Sequence, residues 1–125
     1  MPLGHEGVLL VDDNAEMRAI ARRHLISLGY RVDEAESGPV AMDRLRDGHR
    51  FDLLFTDIIM PDGMTGYQLA AGARKMQPAL KVLFTTGYAG SGGASEQNEP
   101  PPGPVLRKPY RKHDLATAVR TALDS

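Results

Sequence analysis

The amino-acid sequence predicts one α/β domain built on a doubly wound, five-stranded parallel β-sheet with the strand order 2-1-3-4-5. Short apolar runs alternate with amphipathic stretches along the chain, and an acid, a threonine or a lysine follows most of those runs. Strands that alternate with helices are typical of βαβ units and therefore of a parallel sheet. At 125 residues the chain has the length of a single domain with a real core. We expect this one domain to occupy residues 1–125.

The first strand is predicted at Gly7–Val11, an apolar run that ends abruptly at Asp12. A continuous apolar run of this length is typical of a strand buried on both faces. The Asp and Asn residues that follow are N-cap candidates for a helix over Ala15–Leu28, whose apolar side chains recur every three or four residues. Gly29 is expected to end this helix. We interpret three arginines on the other side of the helix as a solvent-exposed face: Arg18, Arg22 and Arg23.

Two further units repeat the alternation of strand and helix. Tyr30–Ala35 is predicted as a strand, and Ser37–Asp47 as a helix that has an apolar face and a glycine after it. Leu53–Thr56 is the third predicted strand and runs directly into Asp57. After a loop, Thr65–Gln77 is predicted as a helix because its leucine, alanine and methionine side chains share one face and a proline follows it.

The last part of the chain departs from this pattern. Lys81–Thr85 and Val105–Arg107 are predicted as the fourth and fifth strands, and Arg111–Leu123 as the final helix. Parallel strands need a crossover connection, which is normally helical. Residues 87–104, however, are rich in glycine and proline and offer no apolar helix face. We therefore expect the fourth crossover helix to be lost or shortened, which leaves a flexible loop at 87–104.

Composition and charge exclude several classes of function. Lys and Arg total 15 against 16 for Asp and Glu, and a net charge of −1 argues against binding to nucleic acid. The absence of cysteine excludes disulfides, cysteine–zinc sites and thiol nucleophiles. No apolar run is long enough to cross a membrane, and no export signal follows Met1. We expect a cytoplasmic domain without direct contact to nucleic acid or membrane.

Chemically active side chains follow four of the predicted strands. Asp12 and Asp13 follow the first strand, Asp57 the third, Thr86 the fourth and Lys108 the fifth. Because the carboxyl ends of parallel strands meet at one edge of the sheet, we expect these side chains to converge there. Clustered carboxylates repel one another, and Mg²⁺, which prefers oxygen ligands, relieves that repulsion. An aspartate beside a cation and a lysine is suited to attack phosphorus.

Four motifs at these strand ends resemble the receiver domain of two-component response regulators: LLVDDN at 9–14, DIIMP at 57–61, VLFTTG at 82–87 and KPY at 108–110. The resemblance covers about residues 7–123, and four weak motifs in the right order make a strong signal. It implies a flavodoxin-like fold and a self-phosphorylating signalling domain rather than an enzyme that turns over a substrate. It implies as partner a sensor histidine kinase or a histidine phosphotransfer protein, and a weak dimer is compatible with it.

The resemblance also implies a role for each site residue. Asp57 is the expected phosphoacceptor. Mg²⁺ is expected to bind directly to Asp57 and Asp13, largely through water to Asp12, and to the backbone carbonyl of Ile59. Two further residues complete the expected phosphorylation site, namely Thr86 with the switch hydroxyl and Lys108 with the phosphate-binding ammonium group. The peptide bond that joins Lys108 to the following proline is expected to be cis.

One departure from the receiver-domain pattern concerns the lifetime of the phosphoryl group on the expected acceptor. Ile59 and Tyr88 stand two residues after the expected acceptor and the expected switch threonine, where they flank the route of an attacking water. Both are bulky. We predict slow self-dephosphorylation through steric shielding.

Other functions fit parts of the sequence. A phosphohydrolase with an Asp nucleophile would need a second acid two residues after Asp57, where Ile59 stands. An FMN-binding module would need a phosphate loop rich in Ser, Thr and Gly, whereas Asp12 and Asp13 would repel a phosphate. A receiver-fold protein-binding module that is never phosphorylated stays open. So does the choice between a stand-alone regulator and the C-terminal receiver of a hybrid sensor histidine kinase, whose parent protein would be an enzyme.

Overall fold

Five parallel strands form one sheet in the order β2-β1-β3-β4-β5. The computed structural model describes residues 4–60, 64–87 and 103–125. The strands are β1 (Gly7–Val11), β2 (Arg31–Ala35), β3 (Leu53–Asp57), β4 (Lys81–Thr86) and β5 (Val105–Arg107), and the helices are α1 (Ala15–Ser27), α2 (Gly38–Arg46), α3 (Gly66–Met76) and α4 (Lys112–Asp124). The predicted fold class and strand order are confirmed, and each of these elements lies within one residue of its predicted ends.

Each face of the sheet buries its own hydrophobic core. On one face, Leu10 of β1 belongs to a cluster with Leu25 of α1 and Leu115 of α4. On the other face, Leu54 of β3 belongs to a cluster with Leu69 of α3. Neighbouring residues of a strand point to opposite faces, so both faces need apolar side chains. Every residue of β1 and β3 is accordingly buried, as their continuous apolar runs predict.

Side-chain caps fix the points at which the first three helices begin. Asn14 Oδ1 accepts a hydrogen bond from the amide of Met17 at 3.0 Å, and Ser37 caps α2 in the same way. Thr65 caps α3 through a reciprocal pair of hydrogen bonds with Gln68. All three caps stand after connections that leave the carboxyl edge of the sheet, so they determine where the chain returns to each helix.

The predicted glycine- and proline-rich loop at 87–104 lies almost entirely outside the described residues, which include only its ends, residues 87, 103 and 104. The loss or shortening of the fourth crossover helix therefore stays a prediction. Among the described helices, none has both the length and the apolar character that crossing a lipid bilayer requires.

Candidate functional site

Three carboxylates meet at the carboxyl edge of the sheet, where β1 and β3 lie side by side. Asp12 and Asp13 follow β1, and Asp57 is the last residue of β3. One oxygen atom from each carboxylate lies within 4.8 Å of the others. Asp12 and Asp57 are buried, with 4% and 8% of their surface exposed, whereas Asp13 is exposed. The structure thus brings the three predicted acids together with one of them open to solvent.

Lys108 reaches the same cluster from the turn after β5. Its Nζ lies 3.1 Å from Asp12 Oδ2 and 3.3 Å from Asp57 Oδ2, and only 13% of its side chain is exposed. Its backbone amide donates a hydrogen bond of 2.9 Å to the carbonyl of Thr86 at the end of β4. The peptide bond between Lys108 and Pro109 is cis, as the resemblance implies. Four of the predicted site residues therefore lie in one cluster, and the backbone of Thr86 is attached to it.

The charges of the cluster are only partly balanced. Burial raises the pKa of Asp57 to about 6, an effect that Lys108 opposes and Asp12 reinforces. Burial alone would lower the pKa of Lys108, but the charges of Asp57 and Asp12 outweigh burial, so the pKa is raised. Lys108 is therefore protonated and Asp57 largely ionised at neutral pH. Three carboxylates against one ammonium group leave a net negative charge.

This donor set fits Mg²⁺. All three side chains offer carboxylate oxygens, the ligands that this hard cation prefers, and the exposed Asp13 leaves room for the water molecules that Mg²⁺ retains. Asp12, Asp13 and Asp57 are the residues that would hold the ion. The role of the Ile59 carbonyl stays a prediction; the Ile59 side chain is 52% exposed.

Thr86 lies at the last position of β4 and is half-buried. It pairs with Arg107 in the register between β4 and β5, so it stands one residue from the turn that carries Lys108. This placement agrees with the predicted strand-end position. The function of its hydroxyl group as a switch stays a prediction.

Helix α3, which follows β3, approaches the site closely at Gly66. The amide of Gly66 donates a hydrogen bond of 2.7 Å to the carbonyl of Ile58. A Cβ atom at this position would lie 2.2 Å from the carbonyl oxygen of Asp57, far inside van der Waals contact. Only glycine therefore allows α3 to begin here. The sequence carries the glycine but not the path of the loop that requires it, which is why sequence analysis missed this residue.

The interpretation of Arg18 as part of a solvent-exposed face is wrong. Its Nη1 donates a hydrogen bond of 2.8 Å to the backbone carbonyl of Asp12, and its Nε lies 3.1 Å from Glu34 Oε1. Arg22 also binds Glu34, but it is exposed, as is Arg23, so the interpretation is confirmed for these two residues. Helical spacing identifies the side of α1 on which an arginine lies, but not that the end of β2 and the preceding loop lie within its reach.

Comparisons with known proteins identify the family. Residues 8–120 match the family model described as response regulator receiver domain. The chain is 35% identical over 116 residues to the response regulator receiver protein CpdR of Brucella abortus, which covers 93% of this chain and 95% of that protein. It is also 35% identical to sensor kinase CckA of the same organism, over 97% of this chain but 13% of the kinase.

The solved structures agree with the sequence relatives. The crystal structure of a response regulator receiver protein from Sinorhizobium medicae has a TM-score of 0.83 to this chain at 30% identity, covering 97% of this chain and 96% of that one. The crystal structure of the receiver domain of the hybrid histidine kinase CckA has a TM-score of 0.77 at 31% identity, with coverage of 94% and 98%. The chain therefore belongs to the family of response regulator receiver domains.

Proposed function

We propose that this receiver domain accepts a phosphoryl group on Asp57, with Mg²⁺ bound beside it, and thereby switches a protein-interaction surface. The observation that carries the proposal is one cluster: the Asp57 carboxylate lies within 4.8 Å of Asp12 and Asp13 and 3.3 Å from the ammonium group of Lys108. Such a cluster holds a nucleophile, a cation site and a phosphate-binding cation at a single point.

The donor in this proposal is a phosphohistidine on a sensor histidine kinase or a histidine phosphotransfer protein. An oxygen of Asp57 attacks the phosphorus and forms a P–O bond, while the P–N bond breaks and its electron pair returns to the imidazole nitrogen. Asp57 can act as the nucleophile because it is largely ionised at neutral pH. The likeness to a segment of sensor kinase CckA supports a kinase as the source of the phosphoryl group.

The neighbouring residues bind the transferred group. Lys108 already donates a hydrogen bond to Asp57 Oδ2 and can turn the same donor to a phosphoryl oxygen. When bound by Asp12 and Asp13, Mg²⁺ would neutralise charge on the phosphoryl oxygens. The Thr86 hydroxyl is proposed to bind a phosphoryl oxygen as well. The domain modifies itself and does not turn over a substrate, so we do not class it as an enzyme.

The proposal is tested by intact-mass measurement after incubation with acetyl phosphate and Mg²⁺. We expect one labile phosphoryl adduct on the wild-type protein and none on Asp57→Asn or in the presence of a chelator. An adduct that persists in Asp57→Asn would show that another residue is the acceptor. A wild-type protein that binds Mg²⁺ but gains no adduct from acetyl phosphate or from a phosphorylated kinase would favour the binding module that is never phosphorylated.

A further inference from the structure

Arg18 connects the acidic loop, residues 12–14 between β1 and α1, to strand β2. It lies in the first turn of α1, with 19% of its side chain exposed. Its guanidinium group donates through Nη1 to the carbonyl oxygen of Asp12 at 2.8 Å and through Nε to Glu34 Oε1 at 3.1 Å. Because a guanidinium group is planar and its donors are fixed relative to one another, the two bonds place the Asp12 carbonyl at a set position relative to β2.

Glu34 is itself held from three sides. Its second carboxylate oxygen lies 3.0 Å from Nε of Arg22, and its backbone carbonyl accepts a hydrogen bond of 2.8 Å from Arg44 of α2. Its backbone pairs with Leu10 in the register between β1 and β2. Glu34 is thus a fixed point against which Arg18 orients the loop.

The contact matters because of what the loop carries. The Asp12 carbonyl belongs to the planar peptide group that joins Asp12 to Asp13, so fixing the carbonyl fixes the position of the Asp13 Cα atom, from which the side chain branches. The Asp12 carboxylate has its own partners, Lys108 and the amide of Asn14. For Asp13, no hydrogen bond or ion pair of the carboxylate is found within residues 4–60, 64–87 and 103–125. The backbone alone therefore sets the place of this expected metal ligand.

We infer that Arg18, anchored by Glu34, is a positioning residue that presents Asp13 to the bound divalent cation. The inference rests on the proposed function, since it concerns the same site. The positive charge of Arg18 and its role in positioning the loop predict opposite effects of its removal on Mg²⁺ affinity. A positive group near the site repels Mg²⁺, so its removal would strengthen binding if charge alone mattered. Removal weakens binding if the group holds the ligand in place.

The experiment measures Mg²⁺ binding to the full chain by calorimetry, without a phosphoryl donor, for wild type, Arg18→Met, Arg18→Lys and Arg22→Met. Methionine keeps much of the length of the arginine stem but has no charge and no donor. We expect Arg18→Met to weaken Mg²⁺ binding about tenfold, within the range seen when a residue that orients a metal ligand is replaced. Arg18→Lys, which can still donate to the Asp12 carbonyl, should recover part of the loss.

Arg22→Met is the matched control, because Arg22 binds the same Glu34 and, among the residues that the structure describes, makes no hydrogen bond to the acidic loop. Its Mg²⁺ affinity should stay close to the wild-type value. In metal-free protein, amide hydrogen exchange at residues 12–14 should be faster in Arg18→Met and unchanged in Arg22→Met. These exchange rates are compared with those of β1 in the same samples, which separates loss of the contact from global unfolding.

Unchanged or stronger Mg²⁺ binding by Arg18→Met would overturn the inference, as would equal weakening by Arg22→Met. Phosphorylation of wild type is measured in parallel. If wild type gains its adduct on Asp57 while Arg18→Met binds Mg²⁺ normally, only the inference fails. If Arg18→Met weakens Mg²⁺ binding while wild type gains no adduct from any donor, the inference holds and the proposed function fails.

Discussion

At the scale of single residues, Asp57 meets two conflicting demands. A nucleophilic carboxylate must be ionised, but the last position of β3 is buried, and burial raises the pKa of Asp57 from 3.8 to about 6. A carboxyl group with a higher pKa in the folded state makes a contribution to stability that is present below the unfolded pKa and is lost as the pH rises through about 6. At neutral pH the ionised Asp57 therefore destabilises the metal-free fold.

Asp57→Asn should consequently raise the free energy of unfolding of the metal-free protein near neutral pH. Asparagine keeps the shape of the side chain and removes the buried charge. A shift of about two pKa units corresponds to about 3 kcal/mol at most, and we expect about 1 kcal/mol because Lys108 loses part of its pairing. Urea denaturation in the presence of a chelator measures the change. A variant less stable than wild type would contradict this account, and Mg²⁺ should stabilise wild type more than the variant.

Ile59 is the residue to test for the lifetime of the phosphoryl group. It follows Asp57, the proposed acceptor, by two residues, and its apolar side chain is 52% exposed. We expect Ile59→Asn to shorten the half-life of phosphorylated protein several-fold, since a polar side chain there would admit and orient water. Decay of the adduct, followed by intact mass, gives the half-life. Ile26→Asn is the matched control, because Ile26 is 45% exposed at the far end of α1. An equal half-life in the two variants would refute steric shielding.

At the scale of elements, the site depends on where helices begin after the strands. The start of α3 is capped by Thr65 and passes so close to β3 that a side chain at Gly66 would collide with the Asp57 carbonyl. The position of Asp57, the proposed acceptor, is therefore coupled to the first turn of α3.

Gly66→Ala should destabilise the protein by about 2 kcal/mol or more and impair phosphorylation, since the backbone at Asp57 or Gly66 must move. Gly72→Ala in the same helix is the control. A Cβ atom there would meet only the end of the Met42 side chain, at 3.1 Å, and alanine favours helix. We expect Gly72→Ala to be neutral or stabilising and to be phosphorylated normally. Thermal denaturation measures the stability of each variant, and intact mass measures its phosphorylation. Equal effects of the two substitutions would contradict a specific clash at Gly66.

The elements themselves could be predicted from the sequence because the sheet is covered on both faces. Burial on both sides requires the unbroken apolar runs of β1 and β3, and parallel strands bring their carboxyl ends, with Asp12 and Asp57, to one edge. The contacts of Gly66 and Arg18 could not be predicted. They depend on where a loop backbone returns, and hydrophobic periodicity contains no information about that path.

At the scale of the whole molecule, an ion-pair network ties the two ends of the chain together at the edge of the sheet opposite the site. Glu6 precedes β1, and Arg120 lies on α4 and binds its carboxylate at 2.6 Å. Arg120 also binds Asp124 at 2.8 Å. The hydrogen bond from Arg120 lowers the pKa of Glu6 from 4.5 to about 2. A carboxylate with a depressed pKa contributes stability that is present above the unfolded pKa and lost as the pH falls towards the folded one.

Glu6→Gln should therefore lower the free energy of unfolding by about 1 kcal/mol above pH 4.5, because it removes one charge of the pair. The difference from wild type should shrink as the pH falls towards about 2, where Glu6 becomes protonated in the folded protein as well. Urea denaturation at a series of pH values across this range measures the difference in the free energy of unfolding. Glu36→Gln, at an exposed position, is the control and should show a smaller, flatter difference. A difference for Glu6→Gln that does not change with pH would contradict the assignment to this ion pair.

Chemical mapping of the phosphoryl group tests most directly whether the cluster at the carboxyl edge serves to phosphorylate Asp57, as we propose. Borohydride reduces an aspartyl phosphate to homoserine and leaves phosphate esters of serine and threonine unchanged. Protein incubated with acetyl phosphate and Mg²⁺ would be reduced, digested and sequenced by tandem mass spectrometry. We expect homoserine at position 57 alone. Homoserine at position 12 or 13, or a phosphate ester on Thr86 without homoserine, would contradict it.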